Sequence, residues 1–148
     1  MQIRTYEPGD LAEMIRLFDD YRVFYEQPSN LELARRFIIA RAHGKDSVIF
    51  VAQSDENRLA GFCQLYSSFC SVAAAPIYVL YDLYVSPENR RNGIARRLLE
   101  VAAAHAKRDG KVRMDLTTAK DNLKAQALYE SLGWQRDEIF YTYNLPIN

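Results

Sequence analysis

At 148 residues the chain is long enough for one domain with its own core, without metal or disulfide staples. Nineteen Lys and Arg offset nineteen Asp and Glu, which excludes a global field that would recruit nucleic acid or an anionic membrane; any basic patch must be local. No apolar run approaches the roughly 18 residues of a membrane span, and the start Met1-Gln2-Ile3-Arg4-Thr5-Tyr6 lacks a secretion-signal core, so the cytoplasm is the expected location.

Periodicity predicts a first strand over Gln2 to Glu7 and a turn at Pro8-Gly9-Asp10, with Asp10 as cap of the following helix. Leu11, Met14, Ile15, Leu17 and Phe18 give that helix its apolar side, and it runs towards Tyr21-Arg22-Val23-Phe24-Tyr25 and ends before Pro28. Ser29 and Asn30 are caps for a second helix with Leu33, Phe37, Ile38 and Ala40 on its apolar side and Gly44 as its stop. Ser47 to Gln53 and Leu59 to Phe69 read as a hairpin about the polar turn Asp55-Glu56-Asn57. Cys63 and Cys70 are seven apart in one strand, hence on opposite faces, and no bridge is expected.

Ile77 to Val85 reads as a buried central strand whose apolar run is broken only at Asp82. A helix from Gly93 to Asp109 follows, with Ile94, Leu98, Val101, Ala102 and His105 on one side and Arg96, Arg97, Glu100, Lys107 and Arg108 on another. Gly110 ends it. Val112 to Thr118 is the next strand, Asn122 to Leu132 the next helix and Ile139 to Leu145 a closing strand. The expected architecture is an α/β sandwich with a mixed sheet, a single domain over residues 1–148 without internal repeats.

Between strand and helix lies Ser86-Pro87-Glu88-Asn89-Arg90-Arg91-Asn92-Gly93, a layout suited to phosphate. A helix start leaves N–H groups unpaired and carries partial positive charge, and Arg90 and Arg91 add cationic charge beside it. Gly93 and Ala95 keep side chains out of the way.

Arg90-x-x-Gly93-x-Ala95 and, about 30 residues later, Asn122-x-x-Ala125-x-x-Leu128-Tyr129-x-x-x-Gly133-Trp134 together resemble the two signatures of the GNAT superfamily of acetyl-CoA-dependent N-acetyltransferases. The resemblance implies a three-layer α/β sandwich whose central strands splay apart, with acyl-CoA and amine meeting in the opening. It implies acetyl-CoA as co-substrate and no metal. The coenzyme would be held by Leu83, Tyr84 and Val85 at the strand end, by Arg90, Arg91, Asn92, Gly93, Ile94, Ala95 and Arg96 at the turn, and by Asn122 and Tyr129. Tyr129 takes the position of the family's tyrosine near the coenzyme sulfur and is assigned as general acid; on an isolated helix it would read as packing with Leu128 and Leu132.

Acetyl transfer also needs a proton acceptor. Asp82 either faces the cleft, taking the amine's proton or holding its ammonium form, or is a structural carboxylate paired with a nearby Arg. Polyamine acetyltransferases of this family carry an acidic residue one position earlier, where this chain has Tyr81, which argues against polyamines. Of ten tyrosines, Tyr21, Tyr25, Tyr66, Tyr78, Tyr81 and Tyr84 fall in segments that can approach the cleft, although any single strand tyrosine is more often core. Tyr21 and Tyr25 are the substrate candidates, because the link between the first two helices lines the acceptor side in the family; Arg22 could meet a substrate carboxylate. The segment Asp20-Tyr21-Arg22-Val23-Phe24-Tyr25 and the Asp82-Leu83-Tyr84-Val85 strand resemble a subgroup of histone and other amine acetyltransferases.

The expected reaction is transfer to a primary amine, of a small molecule or a protein, by direct attack in a ternary complex. Neither cysteine has a His partner for an acyl-enzyme route, and His43 and His105 lack partners at metal-ligand spacing. The alternative is a catalytically silent acyl-CoA-binding sensor or interaction module, against which the retained Tyr129 argues. The resemblance admits a homodimer, for which the sequence has no independent sign.

Overall fold

The computed structural model describes residues 1–148. They divide into two units, Met1–Leu116 and Thr117–Asn148.

In the first unit five strands lie in sequence order, β1 (Gln2–Thr5), β2 (Ser47–Gln53), β3 (Leu59–Cys70), β4 (Ala75–Val85) and β5 (Met114–Asp115). The first four pair antiparallel and β5 pairs parallel to β4, giving the mixed sheet expected. Two helices, α1 (Leu11–Phe24) and α2 (Leu31–Gly44), cover one face. Their Met14, Leu17, Phe18, Ala34 and Ile38 meet Ile49 and Val51 of β2, Phe62 of β3 and Tyr84 of β4. Helix α3 (Ile94–Arg108) covers the other face, where Leu98, Leu99 and Ala102 are buried and the half-buried His105 stacks on Tyr78 and meets Phe50 edge to face. Alternation along β2 divides the two cores: Phe50 points to α3, Ile49 and Val51 to α1 and α2.

Several local expectations are corrected. Asp10 stands at the N-cap of α1, but its side chain makes no capping hydrogen bond. Its carboxylate is held by two Arg4 hydrogen bonds of 2.8 Å and by the Glu7 N–H, which fixes a short 3₁₀ turn over Pro8–Asp10 instead. Asn30 does cap α2, accepting from the Leu33 N–H, while Ser29 turns to donate to Asp19. The helix runs through Gly44, and Lys45 takes the left-handed conformation that closes it. Leu33 is exposed rather than core-facing; Ala34 replaces it. Cys63 and Cys70 are both free.

The second unit contains α4 (Leu123–Ser131), capped by the Asn122 side chain, which accepts from the Ala125 N–H. The expected strand over Val112 to Thr118 is reduced to the two residues of β5, and the expected closing strand over Ile139 to Leu145 does not form. The N–H groups of Ile139 and Phe140 donate to the Asp137 carboxylate, a local turn that competes with strand pairing. The large side chains of this segment are 76–89% exposed.

Candidate active site

The site begins with one irregularity in the β3–β4 ladder. Gln64 pairs with Asp82, but the next residue, Leu65, pairs with Leu80, so Tyr81 is an extra residue on β4. A one-residue bulge reverses which face each later side chain meets. Before it, Tyr78 lies on the α3 side, with His105; after it, Tyr84 lies on the α1 side, with Tyr21 and Phe24. Asp82 shares the side of Tyr84, and Tyr81 itself is 67% exposed.

The bulge also reverses the backbone. Tyr78 donates its N–H to Arg113 beside β5, whereas after the bulge Ser86 donates to Ala60 of the antiparallel neighbour. Hydrogen bonds alternate along a strand, so Asp82 and Tyr84 also donate towards β3, and the N–H groups of Leu83 and Val85 point to the opposite edge. On that edge β5 pairs only with Tyr78 and Val79. The sheet therefore supplies no partner beside Leu83 and Val85, as the expected central opening requires.

Asp82 is 3% exposed. Gln64 Nε2 donates to Asp82 Oδ2 at 2.5 Å, and the Tyr21 hydroxyl approaches from α1, donating to the Tyr81 carbonyl at 3.4 Å. Burial pushes the Asp82 carboxyl above the ordinary carboxylate range, and hydrogen bonds from Gln64 and Tyr21 pull it partly back. The effect is mutual: burial first, then the Asp82 charge, raises the hydroxyls of Tyr21, Tyr25 and Tyr66, keeping all three protonated. Tyr21 and Tyr25 meet edge to face at 5.1 Å, and Tyr66 and Tyr81 lie 5.6 Å apart. The result is a carboxylate ringed by phenols, an environment that favours a cation with an apolar stem. The Arg-paired reading of Asp82 has no support here, since its partners are an amide and a phenol.

Tyr21 and Tyr25 lie on the Asp82 side of the sheet. Tyr78 does not: it lies on the α3 side, where its hydroxyl donates to Asp109. The Tyr84 ring is buried among Tyr21, Phe24 and Arg90. Two residues were missed. Gln64 breaks the apolar run of β3 just as Asp82 breaks that of β4, a signal available in the sequence. Gly61 faces Val85, and a Cβ there would stand 2.7 Å from the Tyr84 carbonyl oxygen; its need for a bare backbone depends on the neighbouring strand.

The turn after β4 is braced from within. Ser86 bonds Ala60 and Asn89, and Asn92 donates to the Asn89 carbonyl. Arg90 is turned back: its Nε donates to the Val85 carbonyl at 2.9 Å, and its guanidinium lies 5.5 Å and 5.6 Å from the Phe24 and Tyr84 ring centres. Arg91 and Gly93 both take positive φ, +67° and +70°, bending the chain so that α3 starts at Ile94. A Cβ on Gly93 would meet nothing within 4 Å, so the glycine serves the bend and leaves space above the helix end. The first intrahelical bond runs from the Arg97 N–H to the Gly93 carbonyl, so the Ile94 and Ala95 N–H groups lie ahead of the helical ladder. Such a bend suits the pyrophosphate of a coenzyme.

Tyr129 lies on α4, its ring 6.1 Å from Trp134. A shallow groove of about 370 Å³ follows β1 and α3 rather than β4.

Residues 11–134 match the acetyltransferase (GNAT) family. The chain is 40% identical to the uncharacterized N-acetyltransferase YhfO of Bacillus subtilis, over 99% of this chain and 98% of that protein. A crystal structure of a probable acetyltransferase superposes with a TM-score of 0.93 at 42% identity, over 100% of this chain and 99% of the other. A predicted acetyltransferase with acetyl-CoA from Clostridium acetobutylicum shares the fold, with a TM-score of 0.76 at 15% identity over 97% of this chain and 95% of the other.

Proposed function

Because this chain belongs to the GNAT acetyltransferase family, an enzyme family that uses acetyl-CoA, we propose that it acetylates a primary amine by direct attack, with both substrates bound at once. The observation that carries this reading is the bulge at Tyr81, which turns Asp82 to the side of Tyr21 and Tyr25 and turns the Leu83 and Val85 N–H groups to the unpaired edge.

When bound, acetyl-CoA supplies the activated acetyl carbon. Gly93, Ile94, Ala95 and Arg96 would hold its pyrophosphate, with charge from Arg91. Arg90 and Asn92 brace the turn, and Leu83 and Val85 would bind the pantetheine arm and polarise the thioester oxygen. A donor aimed in this way contributes about 2.7–4 kcal/mol in a dry site. Tyr84 backs this edge from the core side, and Asn122 sets the start of α4. Tyr21 and Tyr25 would flank the acceptor amine.

Asp82 takes a proton from the amine nitrogen as that nitrogen forms its bond to the acetyl carbon and the carbon–sulfur bond breaks. Tyr129 donates its hydroxyl proton to the departing sulfur; the motif from Asn122 to Trp134 supports this role, and a phenol is protonated at neutral pH. We take the two units as one catalytic domain, since the matched residues 11–134 cross their boundary.

The test is acetyl-CoA-dependent thiol release over a panel of diamines, polyamines, amino acids, aminoglycosides and lysine peptides, with products confirmed by mass. Initial rates with both substrates varied should give intersecting lines. Parallel lines with an acetylated protein would replace direct attack by a covalent route.

A further inference from the structure

Gln64 is wholly buried, and its two amide atoms fare differently. Nε2 donates to Asp82 Oδ2 at 2.5 Å, whereas Oε1, shielded from solvent, has no hydrogen-bond partner. An unsatisfied buried acceptor costs about 1–3 kcal/mol. A leucine of similar volume would avoid that cost and would match the flanking apolar residues Cys63 and Leu65. Packing therefore does not explain an amide here; the bond to Asp82 does.

The amide orientation has the same logic. With Asp82 ionised, only the NH₂ end can face the carboxylate, which strands the oxygen on the far side. We propose that Gln64 is a positioning residue, holding the Asp82 carboxylate ionised and oriented to receive the acceptor amine's proton. The inference rests on the reading of Asp82 as the base.

The groups around that carboxylate come from every packed element. Tyr21 of α1 and the adjacent Tyr25 approach it from one side, Tyr66 and Cys63 from β3, and Tyr81 from β4. Arg41 of α2, paired with Asp46, acts on Tyr66. Of these, Gln64 and Tyr21 donate hydrogen bonds to Asp82, and Gln64 alone is fixed by burial in the strand directly opposite.

Two measurements on Gln64→Leu and on the unbranched, uncharged Gln64→Met test this role. The first follows the Asp82 carboxyl carbon by NMR against pH in coenzyme-free protein, assigned with Asp82→Asn. Both variants should move the Asp82 titration upward by about one pH unit. The second is the pH profile of kcat/KM, whose acid limb should rise in step, with about tenfold lower kcat at neutral pH and unchanged KM for acetyl-CoA. A purely structural Gln64 would lower Tm without moving either titration. An unmoved Asp82 titration overturns the inference while leaving the base assignment standing; a moved titration with unchanged kcat and profile overturns both.

Discussion

Asp82 carries its charge where burial opposes it, and the sign of that opposition is measurable. Its carboxyl is raised in the folded state, so between the ordinary carboxylate value near 3.9 and the raised one the folded protein binds more protons than the unfolded chain. Stability from this group therefore falls as pH rises through that window. Asp82→Asn keeps an acceptor for Gln64 and removes the charge. The variant should melt higher than the parent at pH 7–8, with each kcal/mol appearing as about 2–4 °C, and the gap should close towards pH 4. A lower melting point at pH 7 would mean that Asp82 is a structural anion. Asp10 behaves oppositely: hydrogen bonds from Arg4 hold its carboxyl below the ordinary range, so its contribution is full above about 3.9 and is lost as pH falls through its folded value.

Among the elements, the end of β4 is set by its neighbour. Gly61 lets β3 approach the Tyr84 carbonyl, so Gly61→Ala should push β4 outward at Leu83 and Val85, weakening acetyl-CoA binding measured by calorimetry and costing about 1–3 kcal/mol of stability. Full-strength coenzyme binding in that variant would place the pantetheine contacts elsewhere. Asp19 joins α1 to the start of α2, accepting from Ser29 Oγ at 2.6 Å and the Asn30 N–H at 2.7 Å. Asp19→Ala leaves both donors without that partner and should cost about 1–3 kcal/mol in urea unfolding. Element order, the β2–β3 hairpin, the turn before α3 and Asp82 were legible in the sequence because each depends on local pattern: alternation, a glycine at a bend, one charge in an apolar run. The bulge at Tyr81, the inward turn of Arg90 onto Phe24 and Tyr84, and the close approach at Gly61 were not, because each arises between segments distant in the chain. The alternating Ile139, Tyr141, Tyr143 and Leu145 suggested a strand, but alternation describes a face and not a partner.

On the scale of the whole molecule, balanced charge leaves recognition to local features, and the proposed site draws on one stretch from Asp82 to Arg96. The second unit contains α4, with Tyr129. If Tyr129 returns the proton to sulfur, Tyr129→Phe should lower kcat by about 10²–10⁴-fold with little change in acetyl-CoA affinity; equal turnover in the two proteins would remove it from the reaction. The most direct test of acetyl transfer at the Tyr81 bulge is the pH dependence of kcat/KM for the best acceptor amine in the parent and in Asp82→Asn. The account predicts a loss of about 10²–10⁴-fold at neutral pH in the variant, with a remaining rate that follows only the amine's own ionisation. Superimposable profiles of equal height would contradict it.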